Sequence, residues 1–118
     1  MKILYLVPKE EPKVKEIDDT LEAMKEEVEG YIETVHPFAT DDIVLVCNEE
    51  GKLKEMPLNR IIHFPYLKDY IYGTFFFCGE RTDEDGEREM CSLTDRQIEA
   101  LLNEIEISTA VPLNLEAK

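Results

Sequence analysis

The chain has 118 residues, with 27 Asp and Glu against 13 Lys and Arg, for a formal net charge of −14. That length fits one domain, and a hydrophobic content of 43% supplies a core that needs neither disulfides nor metals. So anionic a surface repels nucleic-acid phosphates and anionic membranes, which argues against direct nucleic-acid binding and leaves cationic partners: a basic protein surface, metal ions or polyamines.

Residues 2–7, KILYLV, are apolar and β-rich, and Pro8 ends them. The run is too short for a membrane span, and no later segment approaches that length, so the expected location is cytoplasmic, with no signal peptide. KVKEI at 13–17 alternates and is expected to return as a second strand. A helix is predicted over about 20–29, with Asp19 as N-cap, Glu22 as its capping-box partner and Gly30 as the stop. Leu21, Met24 and Val28 form its apolar stripe, while Glu22, Glu26 and Glu29 line the other side. YIETVH at 31–36 reads as a strand stopped by Pro37, and IVLVC at 43–47 as a strand buried on both faces.

CNEEGKLKEMPLNR, 47–60, raises the question of a phosphate loop. It has one glycine, flanked by glutamates, whereas a phosphate cradle needs several glycines and a following helix. The stretch is therefore read as a hairpin with Gly51 left-handed, returning through KLKEM. Pro57 is expected to start a single helical turn from which Asn59 and Arg60 project, with FPYLKDY as an irregular connector. IYGTFFFCG at 71–79 reads as one strand whose Phe75, Phe76 and Phe77 occupy both faces. ERTDEDGERE at 80–89 is read as a solvated loop with Asp85-Gly86 at its tip. Asp83, Asp85 and Glu87 alternate as calcium ligands do, but the flanking helices and loop length of such a site are missing, so no metal site is assigned. A second helix is predicted over about 95–105. Thr94 and Gln97 form its capping box, Leu93 and Ile98 its staple, and Ile98, Leu101, Leu102 and Ile105 its buried stripe. Residues 108–118 are read as an edge strand or a frayed tail. The fold class expected is α+β: one domain over 1–118, with a mostly antiparallel sheet of five or six strands and two helices.

No catalytic pattern emerges. Cys47 and Cys78 lie in apolar runs, as core thiols do, and with Cys91 they form no CxxC pair. His36 and His63 have no nucleophile or zinc ligands in register with them, and no serine sits in a nucleophile elbow. The chain is read as non-enzymatic, with no cofactor. Arg60 is the foremost polar candidate. It either clamps a carboxylate or phosphate, or pairs internally with a glutamate and pins the turn to the sheet.

Four segments in order, TLEAMKEEVEGYIETV, LVCNEEGKLKEMPLNR, GTFFFCG and CSLTDRQIE, cover most of the chain from Thr20 to Glu99. In these the chain resembles domain of unknown function family 3846, small acidic proteins of Gram-positive phages, plasmids and conjugative elements. The loop at 80–90 is longer and more charged than that pattern. The resemblance implies no activity and no catalytic residues; it implies travel with antirestriction or other counter-defence genes. Three expectations follow. In the first, an acidic face of Glu22, Glu26, Glu29, Glu33, Asp41 and Asp42 occupies a basic groove on a host or defence protein, as a DNA mimic does. In the second, Asn59 and Arg60 border a small-ligand or nucleotide pocket. In the third, the Phe75–Phe77 strand serves an oligomerising accessory protein.

Overall fold

The structure is a computed structural model that describes residues 1–40 and 42–112. Its described residues form an α+β fold of two helices and nine strands in two antiparallel sheets. The elements run β1 (Lys2–Leu6), β2 (Lys13–Glu16), α1 (Leu21–Val28), β3 (Ile32–Val35) and β4 (Ile43–Asn48), then β5 (Leu58–Phe64) and β6 (Leu67–Tyr72). They close with β7 (Phe75–Thr82), β8 (Arg88–Cys91), α2 (Asp95–Ser108) and β9 (Thr109–Ala110). The main sheet has the order β2-β1-β7-β4-β3. β8 continues the β1 edge of β7, because β1 pairs with Phe75–Phe77 and β8 with residues 79–82. The small sheet has the order β6-β5-β9.

The centre of the main sheet, β1, β4 and the first part of β7, is buried on both faces, as its continuous apolar runs require. On one face Ile3, Val44, Val46, Phe76 and Cys78 meet Met24 and Val28 of α1. On the other, Leu4, Leu6, Leu45, Phe75 and Phe77 meet Ile62 and Phe64 of the small sheet and Ile98, Leu101 and Ile105 of α2. The three phenylalanines are thus divided between the layers, all at 0% exposure. They offer no exposed aromatic strand for an oligomer contact.

Several local expectations hold. β2 returns on β1, Cys47 and Cys78 are core thiols, and α2 begins with the Thr94–Gln97 capping box. Leu93 and Ile98 are both buried beside it, and β9 forms the small edge strand after α2. The part of the tail beyond 112 lies outside the described residues.

Others are corrected. The N-cap of α1 is Thr20, whose hydroxyl accepts from the Ala23 amide, and the left-handed residue that ends the helix is Glu29, not Gly30. Leu21 and Leu102 are exposed, because each helix turns to the core a stripe too narrow to include them. No hairpin follows β4: both of its edges are taken, by β3 and β7, and residues 49–57 instead carry the chain in turns to the small sheet. KLKEM is too polar to pair, with Leu53 82% exposed. Gly51 answers to space rather than to a left-handed φ, since a Cβ there would lie 2.8 Å from the Tyr72 carbonyl oxygen. LNRII after Pro57 is strand, not helix, and FPYLKDY is the end of β5, a two-residue hairpin turn at Pro65-Tyr66 and then β6. The expected strand at 71–79 breaks at Gly73, whose φ of 79° turns the chain from the small sheet into the main one. The polar loop shrinks to a hairpin turn between β7 and β8, where the Asp83 carboxylate accepts from the Asp85 and Glu87 amides.

Candidate functional site

Two regions gather the residues singled out by sequence. The first is the outer side of α1. The helix is eight residues long and packs by Met24 and Val28, so its period leaves Glu22 and Glu26 in solvent, and the left-handed Glu29 that ends it is exposed as well. None of the three forms an ion pair among the described residues. Asp18 and Asp19 extend the exposed row at the start of the helix. The cations alongside are engaged: Lys15 pairs with Glu27 at 2.8 Å, and Lys25 sits over the Tyr31 ring at 4.7 Å.

The remaining residues of the expected acidic face stand elsewhere. Glu33 is registered opposite Cys47, whose side chain belongs to the α2-side core, so Glu33 points away from α1. There it accepts a long contact from the Cys47 thiol, 3.8 Å, and shares a shallow hollow with Lys52, Asp69 and Tyr70. Burial, and then the Glu33 charge, push the Cys47 thiol up to about 12; burial does the same for Cys78, so both are protonated at neutral pH. Asp42 lies at the head of β4, where its carbonyl oxygen accepts from the Glu80 amide and the Gln97 side chain. Asp41 lies outside the described residues.

The second region is Arg60. A β-bulge places one extra residue, Asn59, between Leu58 and Arg60, and so sends two successive polar side chains inward. Asn59 is fully buried. Its amide donates to the carbonyl oxygens of Leu6, at 2.7 Å, and Gly73, at 2.8 Å, while its Oδ1 accepts from Arg60 Nη1 at 2.7 Å. Arg60 Nη1 also donates to the Asn59 carbonyl, and Nη2 to the Glu10 carbonyl at 2.6 Å. The pairing anticipated with a glutamate is therefore to a glutamate's backbone, and neither residue projects from a turn. Burial lowers the Arg60 pKa, and the Glu11 charge opposes that. The guanidinium walls a cleft of about 530 Å³ between the Lys9–Pro12 turn and the C-terminal half of α2. Sequence spacing carries no trace of this meeting.

A third cluster escaped the sequence reading. Glu80 accepts on one carboxylate oxygen from His36 Nε2 at 2.7 Å and Arg88 at 2.9 Å. Only the pairing of β7 with β8 and the course of β3 bring these three together. Among the described residues no group of three or more His, Cys, Asp or Glu side chains is placed to hold a metal ion, and no helix is long and apolar enough to cross a membrane.

The model of the family described as Domain of unknown function (DUF3846) matches residues 1–106. The chain belongs to the DUF3846 family. No curated protein and no solved structure matches it. The DUF3846 match spans both regions: the α1 row, the bulge at Asn59 and Arg60, and all but the last residues of the cleft wall.

Proposed function

We propose that this DUF3846 protein is a cytoplasmic, non-enzymatic binding protein of a phage or mobile element, and that the outer side of α1 docks on a basic surface of a host or defence protein. The observation that supports the reading is the row Glu22, Glu26 and Glu29, exposed and unpaired while nearby Lys15 is already spent on Glu27. Glu22 and Glu26 are separated by about 6 Å of helical rise, so the row offers a partner one carboxylate per turn. Glu33 and Asp42 play no part in this face. Asp18 and Asp19 take their place. The complex is electrostatic and weakens with salt, because exposed charges are screened within about 8–10 Å at physiological ionic strength.

The test is affinity capture from host lysate at low and high salt, with wild-type chain and with the triple variant Glu22→Gln, Glu26→Gln, Glu29→Gln. A basic partner retained at low salt, released at high salt and lost with the triple variant supports the proposal. Retention that is indifferent to both salt and the substitutions sinks it.

A further inference from the structure

Arg60 is 3% exposed, yet it is not used up by its internal bonds. A guanidinium carries five N–H donors. Three are spent, on the Asn59 Oδ1, the Asn59 carbonyl and the Glu10 carbonyl. Nε–H and the second Nη2 hydrogen have no partner among the described residues. No buried side-chain nitrogen or oxygen among those residues lacks a partner, so Nε, which has none, keeps some exposure in a residue that lines the cleft. Nε and Nη2 share the edge that takes a carboxylate through two parallel bonds. The bonds behind it fix the guanidinium, so a ligand does not have to order it.

The rest of the wall restricts the ligand. Leu102 and Ile105 of α2 give it an apolar side. Glu11 and Glu106 give it a negative one, and Lys9 is the other cation present. Glu10 is occupied by Lys13, at 3.4 Å. Arg60 and Lys9 are balanced by the two free carboxylates, so the wall has no net positive charge to hold a dianionic phosphate. A singly charged carboxylate on an apolar body, carrying an ammonium group as well, satisfies every part of the wall. The volume of about 530 Å³ lies within the range of small-molecule sites.

We propose that the cleft binds a zwitterionic apolar amino acid or short peptide. Its carboxylate rests on the open edge of Arg60, its side chain lies on Leu102 and Ile105, and its ammonium group faces Glu11 and Glu106. This narrows the ligand at Arg60 to a carboxylate and sets nucleotides aside, and it is independent of docking by α1.

The experiment is a nitrogen–proton NMR titration of the full chain that follows the Arg60 Nε–H resonance and the amides of the cleft. The probes are leucine, leucyl-leucine, leucinamide, N-acetyl-leucine and inorganic phosphate. The expected result is a saturable shift of the Arg60 Nε–H with leucine or leucyl-leucine, with a Kd of about 1 mM or tighter. Leucinamide, which lacks the carboxylate, and N-acetyl-leucine, which lacks the ammonium group, are each expected to bind at least tenfold more weakly. Leu102→Arg, at an exposed position that does not endanger the fold, fills the cleft and abolishes the shift. The free amino acid and the dipeptide tell a metabolite site from a peptide site, and binding of either supports the proposal. No Arg60 shift with any zwitterion, equal binding of leucinamide, or a preference for phosphate overturns it.

Discussion

Asn59→Ala removes a side chain that ties the two sheets to the arginine. The Asn59 amide bonds the Leu6 carbonyl in the main sheet and the Gly73 carbonyl at the crossover between sheets, and its oxygen holds Arg60. The site is fully buried, so water does not restore these bonds without opening the structure. Two neutral hydrogen bonds at about 1 kcal/mol each, and one to a charged donor at about 2 kcal/mol, give a loss of about 4 kcal/mol. For a chain of this size that corresponds to a fall in Tm of roughly 10–20 °C. Urea unfolding followed by circular dichroism measures it, with the slope of the transition checked against wild type so that the midpoint reports stability alone. A loss below about 1 kcal/mol, at unchanged slope, refutes the claim that this bulge fastens the sheets together. Asn59→Asp keeps an oxygen for Arg60 but sets a carboxylate against two carbonyls, so it tests the amide half separately and is expected to be no more stable than the alanine variant.

Three further outcomes follow from the geometry. Gly73→Ala imposes a left-handed φ on a residue with a Cβ and brings that Cβ within 2.7 Å of the Met56 sulfur; it is expected to cost more than Gly86→Ala, where φ is 82° but the space is open and the cost is about 1 kcal/mol. Equal losses by thermal melting would count against the Met56 contact. In the folded protein at pH 8, iodoacetamide is expected to leave Cys47 and Cys78 unmodified over the time in which the unfolded chain reacts fully, because burial holds both thiols near 12; mass spectrometry of either adduct in the native state would contradict their burial. Burial alone would raise the Glu80 carboxyl, but the bonds from His36 and Arg88 outweigh it and hold the group below its ordinary 4.5. That stability is present above the unfolded-state value and is lost as pH falls through the folded value. Glu80→Gln is therefore expected to be less stable than wild type at pH 6, with the gap narrowing as pH falls below about 4.5; a gap that stays level or widens with falling pH down to the acid unfolding of the protein argues against the ionised pair.

What could be read from the chain was whatever depends on near neighbours. The α2 start rests on contacts three residues apart, between Thr94 and Gln97, and those are written in the sequence itself. The same holds for Glu22 and Glu26, which helical periodicity alone brings to one side. Glu33 was misassigned because its direction depends on its register with Cys47 across a strand pair, which alternation within one strand does not fix. The region 48–64 is the least legible in the sequence. Its polar residues look like turn formers, but Asn59 finds its partner 53 residues away at Leu6 and Arg60 finds one 50 residues away at Glu10. A bulge that buries two adjacent polar groups breaks the period-two pattern, so no local signal distinguishes it from a turn. Gly73 misled for a related reason: a single glycine divides what reads as one apolar run into strands of different sheets.

The place of β7 between β1 and β4 has a consequence for biosynthesis. When the ribosome has made the first 74 residues, the two strands flanking the gap exist but have nothing to hold them side by side. Leu4, Leu6, Val44 and Leu45, all sealed in the finished molecule, then lie along open strand edges until translation, at about 5–20 residues per second, delivers the wedge. Nascent chains stalled before Phe75 are expected to be sticky and to recruit chaperones, and those stalled after β7 has cleared the exit tunnel are not.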